Sequence, residues 1–157
     1  MPDRAVSLAT RRALLLAAPV LGLGLSTRRA FAAPEIYTAT LSSLAADGHD
    51  VVAFHTDGRP TQGSARFTHG WKGATWRFAS AAARDAFAAA PDRYAPSYGG
   101  HCSWAASQGY RASGDPRHWR IVDGRLFFNY DARVHRTWLT DIPGFIAAAD
   151  RNWPTLR

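Results

Sequence analysis

The chain has 157 residues and a formal net charge of +7, and five of its arginines with one of its aspartates fall in residues 1–33. Residues 34–157 carry a net charge of only +3, with basic residues that alternate with aspartates, so the main support for a nucleic-acid partner is lost and we expect none. The single cysteine excludes an intramolecular disulfide, and six tryptophans and five tyrosines supply aromatic mass for a core without one.

Residues 1–33 have the pattern of a cleavable export signal. The basic pair Arg11-Arg12 precedes the apolar run Ala13–Leu25, which is shorter than the roughly 20 residues that a helix needs to cross a membrane. Small residues in Ala30–Ala32 mark a cleavage site, and the arginine pair favours the twin-arginine route over the general secretory route. We therefore expect a soluble periplasmic protein without a membrane anchor.

The next part of the chain predicts an arm followed by one domain. Residues 34–46 are small and mixed in type, which indicates an N-terminal arm or a short helix, and residues 47–157 have the length of a single domain. Asp50 stands before an apolar run and is expected to cap a helical turn by accepting backbone N–H bonds.

Two β-hairpins are predicted from alternating apolar residues on either side of turn residues. Residues 67–78 alternate around Lys72-Gly73. Residues 119–128 alternate around Asp123-Gly124, a pair that tolerates the positive φ angles of a type I′ turn. Together these hairpins predict one small antiparallel sheet.

Short helices are expected beside this sheet, which makes the predicted fold class α+β. Ser80 predicts the N-cap of a helix that ends near Ala90. Residues 91–100 predict a loop, and residues 102–108 a short helix.

The C-terminal part predicts a bent pair of helices that begins after a cap at Asp131. Apolar residues recur every three or four positions from Val134 to Trp153, which is typical of one helix face. Pro143-Gly144 interrupts that stripe, so two helical pieces that meet at a bend are favoured over one rod.

The order of these motifs resembles the YHS domain family over nearly all of residues 47–154. The resemblance is carried by His-Asp-Val-Val-Ala-Phe at 49–54, Tyr-Gly-Gly-His-Cys at 98–102, Ile-Val-Asp-Gly-Arg-Leu at 121–126 and Trp-Leu-Thr-Asp-Ile-Pro-Gly at 138–144. The chain is similar to the exported bacterial subfamily described as YHS domain-containing (seleno)proteins. That resemblance implies a small α+β unit related to zinc-binding and copper-handling modules.

Two departures from the family pattern bear on chemistry. Ala79 and Ala83 lie where classical YHS domains carry cysteines, so the thiolate-rich metal site of those relatives is absent. In the subfamily, the position of Cys102 holds selenocysteine in some members, which implies nucleophilic, redox or soft-metal chemistry there. His101 and His49 stand where an aromatic residue is usual, and each adds an imidazole.

Cys102 is the central candidate for function. At the start of a helix, backbone N–H groups are expected to lower the pKa of its thiol, and His101 is expected to assist. The alternative is an unreactive cysteine that only packs in the core, as free cysteines often do. A Cys-His-Asp hydrolase is disfavoured because the pattern Gly-x-Cys-x-Gly does not occur.

Metal binding is the function that we expect first. A Cys102 thiolate with imidazoles would suit copper or zinc, although the sequence has no Cys-x-x-Cys or His-x₃-His spacing. The candidate ligands are Cys102, His101, His49, His55, His69 and the carboxylate of Asp50.

Tyr98, Gly99 and Gly100 form a second candidate set, because a glycine pair lets a ligand approach the backbone.

Three functions remain open from the sequence. The first is an exported accessory protein that binds a soft or borderline metal ion, copper or zinc, through Cys102. The second is a thiol-based redox protein in which Cys102 cycles through a sulfenate and is resolved by an external thiol. The third is a non-catalytic binding module with a buried cysteine. The expected partners are a metal ion, a small thiol or oxidant, and a periplasmic protein.

Overall fold

A computed structural model describes residues 34–157, and the signal predicted for residues 1–33 lies outside the described residues. The described part combines helices with two antiparallel hairpins, so the predicted α+β class is confirmed. The helices are α1 (Val51–Thr56), α2 (Ala81–Ala89), α3 (Pro91–Tyr94), α4 (Ser103–Ser107), α5 (Ala132–Trp138) and α6 (Ile142–Leu156), and the strands are β1 (Ser64–Trp71), β2 (Ala74–Phe78), β3 (Asp115–Val122) and β4 (Arg125–Asn129).

Both hairpins close through the two-residue turns that the sequence predicts. Lys72 and Gly73 have φ angles of 48° and 75°, and Asp123 and Gly124 have φ angles of 49° and 75°. Two successive positive φ angles define the type I′ turn, whose twist matches that of the strands it joins. Each hairpin has an irregular register near its open end, between Ser64 and Thr68 in β1 and between Asp115 and Trp119 in β3.

The two hairpins lie in separate two-stranded sheets and not in the single sheet that we expected. Strand β2 pairs with β1 on one edge, and Leu44 of the arm forms a parallel bridge to Thr75 on the other. Strand β4 pairs with β3, and Cys102 forms a parallel bridge to Phe128. Both edges of β2 and both edges of β4 therefore already have partners, so neither of these two strands can pair with the other hairpin.

Helix caps follow the sequence prediction at three positions. The Asp50 carboxylate accepts from the backbone at the start of α1, the Ser80 hydroxyl does so for α2, and Asp131 does so for α5. The C-terminal break is confirmed as well, with Pro143 in the first turn of α6 and the chain turning between α5 and α6. Within residues 34–157, no helix is both long enough and apolar enough to cross a membrane.

The segment at residues 91–100 was expected to be a loop and is instead partly helical. Pro91 begins α3, which is the position at which the fixed φ of proline favours a helix. Residues Ser97–Gly100 then form a tight turn, in which Tyr98, Gly99 and Gly100 all have positive φ angles.

Strand β4 separates two apolar clusters. Its side chains alternate between faces, as they must in an extended strand. Leu126 and Phe128 join the larger cluster, and Phe127 joins the smaller one with Trp138. The larger cluster is built around four fully buried aromatic side chains from α1, β2 and α2: Phe54, Trp76, Phe78 and Phe87.

Asp50 ties α1 to the end of β2, so its loss should cost more than the loss of an ordinary cap. One carboxylate oxygen accepts from Val52 and Ala53 at 2.9 and 3.3 Å, and the other accepts from Ala79 at 2.8 Å. We expect Asp50→Ala to lower the free energy of unfolding by about 2–4 kcal/mol, as measured by urea denaturation, because the partly buried N–H of Ala79 loses its acceptor along with the cap.

Ser80→Ala is the matched control for Asp50→Ala. It removes a cap bond at an exposed helix start and should cost only about 1 kcal/mol. If the two substitutions lower the free energy of unfolding equally, the bridging role assigned to Asp50 is contradicted.

Candidate functional site

Cys102 lies at the junction of three parts of the fold. Its backbone N–H donates to the carbonyl of Ala112 at 2.9 Å, and its backbone bridges to Phe128 of β4. Cys102 is also the N-cap residue of α4, as the sequence predicts. The residue is 1% exposed, so its thiol is held inside the fold by its neighbours.

The turn that precedes Cys102 packs against the arm. The Tyr37 N–H donates to the Gly99 carbonyl at 2.8 Å, and a Cβ atom at Gly99 would collide with the carbonyl oxygen of Glu35. The close backbone approach that the glycine pair permits is therefore made by the chain itself. Tyr98 is buried, and its hydroxyl donates to the carboxylate of Asp150 at 2.9 Å. Burial and that carboxylate raise the pKa of Tyr98, so its hydroxyl remains a donor.

The Cys102 thiol makes two weak polar contacts. Its S–H donates to Oδ1 of Asn129 at 3.9 Å, and the N–H of Ala105 donates to its sulfur at 3.5 Å. Burial raises the pKa of the Cys102 thiol, and the backbone N–H groups of Ala105, Tyr130 and Trp104 only partly oppose that effect. The expectation of a lowered thiol pKa is therefore wrong, because the loss of hydration outweighs the donors at the start of a short helix.

Asn129 connects the thiol to a histidine. Its Oδ1 accepts from the Trp104 N–H at 3.2 Å, and its Nδ2 lies 3.1 Å from Nδ1 of His135. Because the Trp104 N–H can only donate, the amide is oriented with its NH₂ group toward His135. Nδ1 of His135 must then accept, which places the ring proton on Nε2.

His135 is kept neutral by its surroundings. Its ring stacks on Trp138 with centroids 6.3 Å apart and lies 6.4 Å from the ring of His118. Burial, His118 and Arg120 together lower the pKa of His135. Neither His135 nor Asn129 is among the site residues predicted from the sequence. The available signal was a polar residue at the end of the buried apolar run 126–128, because a buried amide needs partners.

An aromatic cleft lies beside the thiol. It has a volume of about 260 Å³ and includes Cys102 in its wall. Trp104 and Tyr110 meet edge to face with centroids 6.4 Å apart, and Tyr130 is half exposed. The remaining wall is formed by Ala105, Ala112, Arg133 and Val134. The cleft therefore brings aromatic surface and one cation to the residue that carries the nucleophilic atom.

His101 points away from this cleft. It bridges to Ser113 and precedes Cys102 in extended backbone, where successive side chains lie on opposite faces. His101 accordingly lines a different cavity, between the arm and the segment that follows α4. The structure does not bring His101 and Cys102 together as joint ligands.

The other predicted ligands have partners elsewhere. His49 Nδ1 lies 3.1 Å from the Ala46 carbonyl, His55 packs edge-on against Tyr94, and His69 packs against Phe87. Both carboxylate oxygens of Asp50 accept backbone N–H bonds. Across residues 34–157, no group of three or more His, Cys, Asp or Glu side chains is arranged to hold a metal ion.

Comparisons of the chain with protein-family models, with curated proteins and with solved structures find no match. The resemblance to the YHS domain family therefore stays a prediction that rests on the motifs quoted above.

The raised pKa of Cys102 predicts a specific pH dependence of its alkylation. Because the folded protein holds the thiol proton more tightly than a free cysteine does, the midpoint of the pH profile for reaction with iodoacetamide should lie above about pH 8.5, the usual thiol value. The unfolding free energy should fall over the same alkaline range, since the unfolded chain releases that proton first.

The urea-unfolded protein is the reference for this measurement, and Cys102→Ser is the blank. The midpoint of the pH profile separates ionisation from simple lack of access, which lowers the rate at every pH equally. A folded-state midpoint below that of the unfolded chain would show that the sulfur is activated and not suppressed.

Proposed function

We propose that the mature domain is a thiol-dependent redox protein of the periplasm, and that it is a distant member of the YHS group whose motif order it resembles. Cys102 is oxidised by an organic hydroperoxide that enters the aromatic cleft, and an external thiol restores it. The observation that carries this proposal is that Cys102, although only 1% exposed, belongs to the wall of that cleft, with Asn129 and the Ala105 N–H in contact with its sulfur.

The chemistry is balanced without a second cysteine. The sulfur of Cys102 attacks the terminal oxygen of the hydroperoxide, the O–O bond breaks, and the thiol proton passes to the departing alkoxide to give an alcohol and a sulfenic acid. One external thiol then displaces water to form a mixed disulfide. A second external thiol releases the reduced Cys102 and leaves as a disulfide. An external thiol is required because Cys102 is the only cysteine of the chain.

Asn129 and Ala105 support different stages of this reaction. The Asn129 oxygen accepts the S–H of the resting thiol and fixes the position of the sulfur. The Ala105 N–H donates to the sulfur and remains a donor when the sulfur becomes negatively charged or oxidised. Neutral His135 keeps Asn129 in the orientation that its contacts with the Cys102 thiol and the Trp104 N–H need. These residues position the sulfur, and they do not touch the substrate.

Copper or zinc binding stays a prediction. The Cys102 thiolate is a soft ligand suited to either ion, but the imidazoles proposed with it lie elsewhere in the fold. A metal at Cys102 would need its other ligands from a bound small molecule or a partner protein. Metal analysis of the purified protein, with Cys102→Ala beside it, distinguishes this function from the redox one.

The proposal predicts sulfenate formation at Cys102 with a preference for aromatic hydroperoxides. Cumene hydroperoxide should oxidise the folded protein faster than hydrogen peroxide does, as detected by dimedone trapping and peptide mass spectrometry. Tyr130→Ala should slow the cumene reaction about fivefold, the effect of losing an aromatic contact of about 1 kcal/mol, and leave the hydrogen peroxide rate unchanged.

Cys102→Ser is the blank for trapping, and alanine in place of the exposed Tyr130 should leave the core intact. If dimedone labels Cys102 only after the protein is unfolded, the redox proposal fails and the reading of a binding module with a packed cysteine stands.

The Asn129–His135 pair predicts a second effect, on the pH profile of oxidation. In the wild-type protein the rate should decline below the pKa of His135, because a protonated ring can no longer accept from Asn129. His135→Gln should remove that decline, and Asn129→Ala should lower the rate roughly tenfold at all pH values, the equivalent of about 1.4 kcal/mol of lost positioning.

His118 and Arg120 also face His135, and both lower its pKa. His118→Gln is therefore the control variant, in which the acid decline should remain and move to higher pH. If the oxidation rate of His135→Gln depends on pH as that of the wild-type protein does, His135 has no part in the mechanism.

A further inference from the structure

A second cavity, on the other side of the segment that carries Cys102, has features of a binding site. It has a volume of about 260 Å³ and lies between the arm and the residues that follow α4. Its wall includes Pro34, Ile36, Tyr37, Thr38, His101 and Arg111. It is separate from the aromatic cleft because His101 and Cys102 point to opposite faces of the same extended segment.

His101 enters this cavity with its polar atoms unused. The residue is only 7% exposed, and neither of its ring nitrogens has a hydrogen-bond partner within residues 34–157. The backbone of Pro34 and of Ala112 lies close enough to the ring to raise the pKa of His101 slightly, but neither makes a hydrogen bond of good geometry to a ring nitrogen. Buried polar groups without partners are uncommon in folded proteins, since water is given up with no replacement.

The His101 ring is nevertheless held in place by packing. Tyr37 of the arm meets it edge to face, and Trp153 of α6 packs at an angle, each with centroids 5.5 Å away. The ring nitrogens therefore have a fixed direction before any ligand arrives. Such preorganisation is typical of binding groups, because little further ordering is needed on association.

Arg111 adds an uncompensated positive charge to the same cavity. Its guanidinium donates to the Pro34 carbonyl at 3.3 Å, and no carboxylate of the described chain lies within ion-pairing distance of it. Arg111 is close enough to His101 to lower the pKa of the imidazole, and burial acts in the same direction. A neutral imidazole and a guanidinium thus line the same cavity, and residues 34–157 place no carboxylate against the guanidinium.

We propose that this cavity binds a small carboxylate that carries a short apolar tail. Arg111 forms the charged contact with the carboxylate, for which the planar guanidinium is well matched. His101 donates a ring N–H to the same group and so gains a partner that residues 34–157 do not provide. Pro34, Ile36 and Tyr37 contact the apolar tail.

The test uses three anions with the purified protein: butyrate, acetate and inorganic phosphate. Binding is followed by NMR through the ring resonances of His101, and the fold of each variant is checked by near-UV circular dichroism. Butyrate should bind on the order of tenfold more tightly than acetate, because each buried methylene contributes about fourfold. Phosphate, which has no tail, should bind no better than acetate.

The same readout reports a second consequence of carboxylate binding. A bound anion stabilises the imidazolium, so butyrate should raise the pKa of His101 and bind more tightly as the pH falls. The described groups that face the ring are Tyr37, Trp153 and Arg111, of which only Arg111 is charged at neutral pH.

Three variants make the test specific. Arg111→Gln should weaken the binding of butyrate at least tenfold. Arg136→Gln removes the same charge from an exposed position on α5 and should leave the affinity for butyrate unchanged. His101→Phe should weaken butyrate similarly and leave the protein as stable as wild type or more so, because it removes buried unpaired nitrogens.

Two results would overturn the carboxylate site. One is the absence of a saturable shift at His101 with butyrate in folded wild-type protein. The other is tightest binding of phosphate, or equal weakening of butyrate by Arg111→Gln and Arg136→Gln, either of which indicates general attraction of anions to a positively charged chain. Because the readout does not involve Cys102, the redox proposal stands or falls separately.

Discussion

The buried amide of Asn129 is the contact on which the rest of the Cys102 region depends. It ends β4, accepts from the first turn of α4 and lies against His135 of α5, so one side chain joins a strand to two helices. An amide with a donor and an acceptor on different atoms can satisfy both neighbours only in one orientation. That orientation fixes the tautomer of His135 and sets the Asn129 oxygen toward the Cys102 thiol.

The extended segment at His101 and Cys102 places two adjacent side chains in different environments. Paired to Ser113 on one side and Phe128 on the other, it must direct its neighbouring side chains to opposite faces. Cys102 lines a cleft built largely from aromatic residues, and His101 lines a cavity that also includes Arg111. Adjacent residues that look like a ligand pair in the sequence are thereby separated by backbone geometry.

Local features of the fold could be predicted from the sequence because they depend on a few neighbouring residues. The Asp123-Gly124 turn and the Asp50 and Ser80 caps follow from intrinsic backbone preferences. The separation of the hairpins and the contact between Asn129 and Cys102 depend on which edges and side chains meet that are far apart in the sequence. The raised thiol pKa could not be predicted either, because it depends on the burial that tertiary packing produces around Cys102.

A thiol with a raised pKa is compatible with redox chemistry if selectivity matters more than speed. A protonated sulfur reacts slowly with small oxidants that reach it at random, which would protect the single cysteine in the oxidising compartment that we propose for this protein. In the redox function that we propose, a hydroperoxide that binds against Trp104 and Tyr130 is held beside the sulfur, and proximity then replaces part of the lost nucleophilicity. The Ala105 N–H favours the charged sulfur during the attack, while burial favours the neutral thiol before it. The same packing that suppresses ionisation at rest therefore makes the reaction depend on an occupant of the cleft.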